Sequence, residues 1–210
     1  MKIAVFTGAS SGMGCEFVRR ICADEHFDEV WLIARRRERL DTLAGELGTV
    51  NARLLPLDLM KKEALDEYKS LLEAEKPDVA VLVNAAGFGL FGGFCEMELE
   101  RQLDMIELNS RALTAMTYLT LPYMKDGGRI YQLGSLSAFQ PVPFIGVYAA
   151  SKAYVLSFTR AVNRELKSRG RDVRMMAVCP GWVKTEFFEH AVHDDTITYY
   201  NRMYTAEQVV

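Results

Sequence analysis

Six short apolar runs punctuate the chain: KIAVFT (2–7), EVWLIA (29–34), ARLLPL (52–57), VAVLVN (79–84), RIYQLG (129–134) and VRMMAVC (173–179). They carry few charges, and most do not alternate apolar with polar residues, which suits strands covered on both faces. Between them lie segments of helical period, near 13–24, 36–47, 61–75, 97–124 and 147–169, the fourth long enough for two helices. Strand and helix in regular alternation require right-handed crossovers, which place helices on both sides of a parallel sheet. The expected fold class is therefore α/β, a doubly wound parallel sheet in three layers. Ligands of such sheets bind outside the carboxyl ends of the strands.

A chain of 210 residues is long enough for one well-buried core, so residues 1–210 are expected to form a single domain. Half of the residues are hydrophobic and 25% are charged, the balance of a soluble globular protein. The net charge of -3 gives no field that would gather nucleic acid or an anionic membrane. The N-terminus MKIAVFTGAS reaches a turn signal too early for a secretory leader, and no apolar run is long enough to span a bilayer. Cys15, Cys22, Cys95 and Cys179 form no CxxC pair and have no histidine at ligand spacing, so buried free thiols in a reducing cytoplasm are expected, with no metal site.

The segment TGASSGMG (7–14) follows the first strand directly and places Gly8, Ser10, Ser11, Gly12, Met13 and Gly14 where a strand turns into a helix. Backbone can there approach a diphosphate closely while helix N-terminal amides face its charge. The second strand ends in ARRRERL (34–40). A carboxylate at that position would bind ribose hydroxyls, whereas the planar cation of Arg35 suits a 2′-phosphate, so the expected cofactor is NADP(H). Arg36, Arg37 and Arg39 read as the solvated face of the next helix, with Arg36 a candidate second phosphate contact. In LDL (57–59), Asp58, with Leu59 beside it, is placed either to accept from an adenine amino group or to cap the helix near 61. VNAAG (83–87) supplies Asn84, Ala85, Ala86 and Gly87, a second close-approach turn at the same sheet edge.

In GVYAASKAY (146–154), Tyr148 and Lys152 lie four apart on a helix and share a face. An isolated tyrosine holds its proton until pH ~10. A nearby ammonium favours the phenolate, so the pair is expected to form an acid or base tuned for an alcohol and carbonyl couple. Ser135 sits just past the fifth strand, placed to hold a substrate oxygen; Ser137 is the competing candidate. Asn109, in IELNSRA, is a mediocre helix former in mid-helix and is expected to distort the helix and position a water.

Taken together, TGxxxGxG, NxAG, YxxxK and PGWVKT (180–185) resemble the short-chain dehydrogenase/reductase superfamily, in the right order over essentially the whole chain. The resemblance implies a Rossmann fold and a catalytic tetrad of Asn109, Ser135, Tyr148 and Lys152. In that family the tyrosine is the acid/base and the serine orients the substrate. The lysine binds the nicotinamide ribose, lowers the tyrosine pKa and joins a proton relay through water near the asparagine. Pro180, Gly181, Val183 and Thr185 would lie beside the nicotinamide, and Arg35 matches the NADP-preferring members. Ala85 departs from the family, which commonly has a second asparagine there, so one hydrogen bond at that turn is in doubt. The family pattern also runs on into another helix and a seventh strand, and their loss would expose a sheet edge and alter the usual dimer contacts. Thr205 and Gln208 form a capping-box signature just before the last residue, which suggests truncation or an unusually short tail.

The expected activity is interconversion of a carbonyl and a secondary alcohol by an NADP(H)-dependent oxidoreductase, acting as a homodimer or homotetramer. The rival is a nucleotide-sensing binding protein without useful turnover; an epimerase or dehydratase on the same fold is a third reading. Phe88, Phe91, Phe94, Phe139, Phe144, Trp182, Phe187 and Phe188 make the loops around the expected reacting carbon aromatic. They point to a bulky apolar substrate, or else to core and interface packing. His190 and His193 have no third ligand at suitable spacing and read as surface residues of a lid; TYYNRMY (198–204) either closes over substrate or meets a partner subunit.

Overall fold

Each of the six apolar runs is a strand, within two residues of its expected bounds. The computed structural model describes residues 1–187, 191 and 203–210. β1 (Lys2–Thr7), β2 (Glu29–Ile33), β3 (Ala52–Leu55), β4 (Asp78–Asn84), β5 (Arg129–Leu133) and β6 (Arg174–Val178) pair in parallel in the order β3-β2-β1-β4-β5-β6. β3 stops where Pro56 removes a ladder donor. The strand order reverses between β1 and β4, and the cleft described below opens there.

Successive strand residues face opposite sides, and both sides are filled. Ile3, Val5, Trp31, Ile33 and Leu82 pack with Leu65, Tyr68, Leu72, Met116 and Leu166 of α3 (Lys62–Glu75), α5 (Leu113–Thr120) and α6 (Gly146–Ser168). Ala4, Phe6, Val30, Leu32, Val81 and Val83 pack on the other side with Met13, Phe17, Val18, Leu40 and Leu43 of α1 (Gly12–Asp24) and α2 (Arg37–Glu46). This two-sided burial explains why most of the strands show no apolar-polar alternation. The outer strands are less covered, and Met176 on β6 is exposed.

The 97–124 stretch is not two separate helices. α4 (Leu99–Ile106) runs through a π-helical turn, Glu107–Ala112, directly into α5, and a 3-10 turn, Leu121–Tyr123, closes the run. Two further pieces lie outside the sheet. β7 (Val183–Lys184) pairs in parallel with β8 (Tyr204–Thr205), and Thr205 and Gln208 form the expected capping box at the start of α7 (Ala206–Val209). No disulfide and no metal-ligating cluster occurs among the described residues; the thiols expected to be buried are half-buried at Cys15, Cys22 and Cys179 and exposed at Cys95. None of the described helices is long and apolar enough to cross a membrane.

Candidate active site

The turns after β1 and β4 are locked together. Thr7 Oγ1 accepts hydrogen bonds from the backbone N–H groups of Ala85 and Ala86, both at 3.1 Å. Gly8 has φ +68°, and a Cβ there would lie 2.7 Å from the backbone of Ala85 and Ala86, so only glycine fits. Above this junction opens a cleft of about 560 Å3. From Gly8 to Thr185, every residue expected at the site lines it except Asn84 and Asn109. Its floor is a groove that fits a dinucleotide: bare backbone at Gly8, Gly12 and Gly87, with the N-terminus of α1 opening onto it.

Asn84 is corrected from a cleft residue to a buried one. Its amide donates to Thr117 Oγ1 (3.1 Å) and Gln132 Oε1 (3.0 Å), and Gln132 Nε2 donates to Thr117 Oγ1 (2.8 Å). A buried amide takes the polar partners that the α5 side of the sheet offers. Asn109 is likewise turned inward. Its Nδ2 donates to Phe88 O (2.9 Å) and Ser151 Oγ (3.1 Å), and its Oδ1 accepts from Phe88 N (3.1 Å). It sits in the π-helical turn, as its poor helix propensity anticipated, and there it ties the loop after β4 to α6.

At the chemical end, α6 carries Tyr148 and Lys152 beneath the carboxyl end of β5. The Lys152 ammonium donates to Leu133 O (2.7 Å) and lies 5.7 Å from the centre of the Tyr148 ring. Ser135 begins a 3-10 turn, Leu136–Phe139, and its hydroxyl accepts from Ser137 N (3.1 Å) and Ser137 Oγ (3.0 Å), so the two candidate serines are bonded to each other. The expectation of a phenol lowered by the lysine needs correction. Burial pushes Tyr148 up to about 12, and the Ser135 hydroxyl is the protein group that pulls it down. The lysine instead absorbs the effect of burial itself, falling to about 8.

At the opposite end, Arg35 is exposed and makes no hydrogen bond or ion pair among the described residues. Arg36 and Arg39 are not simply a solvated helix face. Both Arg36 terminal nitrogens reach Glu186 Oε2 (3.3 Å), Arg36 Nη2 also approaches Ser10 Oγ (3.4 Å), and Arg39 pairs with Glu186 Oε1. Arg37 alone behaves as expected, pairing with Asp41 on the outer face of α2. Asp58 accepts from Met60 N (3.2 Å) in a short turn, and α3 begins after Lys61, so Asp58 lines the cleft without capping that helix.

The short chain dehydrogenase family model matches residues 2–196. The chain belongs to the short-chain dehydrogenase family. An uncharacterized oxidoreductase of Staphylococcus epidermidis is 30% identical over 190 residues, covering 90% of this chain and 80% of that protein. A short-chain dehydrogenase from Sphingobium yanoikuyae, solved in complex with NADPH, superposes with a TM-score of 0.85 at 29% identity, over 100% of this chain and 81% of that one. The bulky-bulky ketone specific alcohol dehydrogenase from Comamonas testosteroni gives 0.82 at 25% identity, over 100% and 79%. Family members are oxidoreductases that use a nicotinamide cofactor.

In this short-chain dehydrogenase the wall beside Tyr148 is aromatic. Phe91 meets Tyr148, Trp182 and Phe187 with ring centres 6.3, 6.1 and 5.9 Å apart, and Phe187 lies 5.5 Å from Tyr148. Phe88 also lines the cleft. Phe94, Phe139 and Phe144 do not; all three are exposed, and Phe139 lies under the Arg160 guanidinium. Phe188, His190, His193 and most of 198–204 lie outside the described residues. Two residues of consequence carried little signal in the sequence. Gln132 is one uncharged amide inside a strand, and Glu186 stands 150 positions from Arg36, although it directly follows Thr185.

The lysine shift has a measurable consequence. An unfolded lysine keeps its proton to pH 10.5, whereas Lys152 loses it near 8, so between these values the unfolded chain binds more protons and stability rises with pH. Tyr148 acts oppositely from 10 to about 12, where only the unfolded chain releases its proton. That contribution is common to wild type and Lys152→Met. The wild-type unfolding free energy in urea, minus that of the variant, is therefore expected to grow from about pH 8 to about pH 10. A flat difference would mean that the ammonium is not desolvated.

Proposed function

We propose that this short-chain dehydrogenase is an NADP(H)-dependent oxidoreductase that interconverts a carbonyl and a secondary alcohol, with Tyr148 as the acid/base. The observation that carries the reading is the meeting of Tyr148, Ser135 and Lys152 in one cleft with a glycine-built groove. A bound nicotinamide supplies or accepts the hydride there. The neutral phenol of Tyr148 is set to give a proton to a carbonyl oxygen on reduction. Ser135, an acceptor from Ser137 and a hydrogen-bond partner of Tyr148, would turn its O–H from the phenol to hold that oxygen in place. Lys152 is positioned for a ribose hydroxyl and for favouring the phenolate once the proton has left. Asn109 acts as a positioning residue through Phe88 and Ser151.

In this reading the turn from Gly8 to Gly14 takes the diphosphate, Asp58 and Leu59 flank the adenine, and Ala85, Ala86 and Gly87 lie under the ribose. Pro180, Gly181, Val183 and Thr185 border the nicotinamide. Arg35 and Arg36 take the 2′-phosphate. The aromatic wall of Phe88, Phe91, Trp182 and Phe187 favours bulky apolar ketones. The stripe of Leu99, Leu103 and Ile106 on α4, exposed with Tyr118 and Tyr154, supports self-association as a homodimer or homotetramer.

The direct test mixes the protein with NADPH and a panel of bulky ketones and follows loss of reduced nicotinamide. NADPH that binds tightly without turnover of any carbonyl would favour the sensing-protein alternative. Cofactor choice has its own test. Losing one charge-assisted contact and adding a repelling carboxylate in Arg35→Asp should lower the NADPH-to-NADH affinity ratio about tenfold to a hundredfold. An unchanged ratio would remove Arg35 from the phosphate site.

A further inference from the structure

Thr185, Glu186 and Phe187 form a short strap that touches both ends of the cleft. Thr185 lies against Gly12, where a Cβ would come within 3.2 Å of its side chain. Phe187 covers Tyr148, and a Cβ on Gly89 would strike it at 2.5 Å. Between them, Glu186 reaches back across the groove to Arg36 and Arg39. One carboxylate thus joins the segment beside the acid/base to the guanidinium groups at the end of β2. Its carboxyl is held below the ordinary range by the hydrogen bond from Arg39 and then that from Arg36, so it is an anion wherever the protein would work.

We propose that Glu186 is a specificity-determining residue, an anion of the chain that is anchored by Arg39 and competes with the cofactor 2′-phosphate for Arg36. The inference rests on the reading of the Arg35–Arg36 corner as the phosphate site. Arg36 Nη2 is shared between Glu186 and Ser10 of the glycine turn, so the carboxylate and an incoming phosphate address the same donors. A phosphate there must either displace the carboxylate or lie beside a like charge, and both weaken binding. A ligand that lacks the phosphate meets neither obstacle. Glu186 therefore lowers the preference that Arg35 and Arg36 create, and it links cofactor type to the seating of Phe187 over Tyr148.

The groups are half exposed, so the effect is moderate. Titration calorimetry with 2′,5′-ADP and 5′-AMP reads it without any turnover. Glu186→Gln is expected to tighten 2′,5′-ADP about threefold to tenfold and to leave 5′-AMP within about twofold, with NADPH and NADH following the same pattern. Glu186→Ala should do the same, and Glu186→Asp, with its shorter reach, should fall between. Raising the salt concentration should shrink the difference between wild type and Glu186→Gln. An unchanged 2′,5′-ADP affinity in both neutral variants overturns the proposal. So does a weakened one, which would mean that Glu186 arranges the arginines for the phosphate. If wild type and Arg35→Asp alike bind 2′,5′-ADP no better than 5′-AMP, the phosphate-site reading itself has failed; a loss of discrimination in Arg35→Asp alone, with Glu186→Gln silent, leaves that reading standing and removes only the role of Glu186.

Discussion

Tyr148→Phe is expected to lower kcat/KM for ketone reduction by about a hundredfold to ten-thousandfold, the usual contribution of a positioned acid/base, while NADPH affinity changes by less than about twofold. The substitution removes one oxygen and keeps the ring. The contacts of Tyr148 with Phe91 and Phe187 should therefore persist, along with the seat of α6. What is lost is the phenolic proton donor that α6 presents beside Ser135 in the cleft. Stopped-flow reduction and direct cofactor titration separate the two quantities. Full-speed turnover by a variant that binds NADPH normally would end the assignment of Tyr148. A parallel fall in cofactor affinity would mean that the hydroxyl binds rather than transfers protons.

A second large effect is expected at Gly14. An added Cβ would lie 2.2 Å from the carbonyl oxygen of Gly8 and 2.7 Å from its carbon. Neither is the end of a flexible side chain, so α1 would have to lift away from β1. That movement would disturb the packing of Met13, Phe17 and Val18 against the sheet. Gly14→Ala is expected to destabilise the protein by about 2–3 kcal/mol, typical of overpacking a tight interior. It should also weaken NADPH about tenfold or more, because the groove is built from the displaced turn. Gly45 supplies the contrast: it lies inside α2 with nothing within 4 Å of an added Cβ. Gly45→Ala should stabilise by about 0.5–1 kcal/mol through the better helix propensity of alanine. Denaturant titration of both variants checks the pair, and equal effects would mean that the close approach at Gly14 is relieved by local adjustment.

These two glycines mark what could and could not be read from the chain. Gly14 belongs to a local pattern, TGASSGMG, whose meaning is set by the strand before it and the helix after it, both visible as periodicity. The strands were equally legible, since six short apolar runs, most of them unalternating, have few other solutions in this order. The burial of Lys152 was not, because it depends on the neighbours that three distant segments bring together. A tyrosine and a lysine at four-residue spacing said which side chains meet, whereas the cost of desolvation decided which way each of them shifts. Phe94, Phe139 and Phe144 failed for a related reason: loop composition names candidate walls without saying which rings face inward. Glu186 was hidden most deeply. It sits next to a recognisable motif, yet its role is visible only once the end of β2 and the strap after β7 lie side by side.

The buried knot of Asn84, Gln132 and Thr117 bears on how the molecule assembles. Asn84 and Gln132 are direct partners across β4 and β5, and both share the hydroxyl of Thr117 on α5. If β5 docked one residue out of step, Gln132 would turn to the other face and strand these amides in hydrocarbon, at roughly 1–3 kcal/mol for each orphaned group. Apolar neighbours alone would tolerate such a slip far better, since valine and isoleucine are nearly interchangeable along a strand. In a sheet whose every pairing closes a long loop, three uncharged side chains thus favour one alignment of β4 and β5 over its slipped neighbours, and with it the position of the turns that form the nucleotide groove.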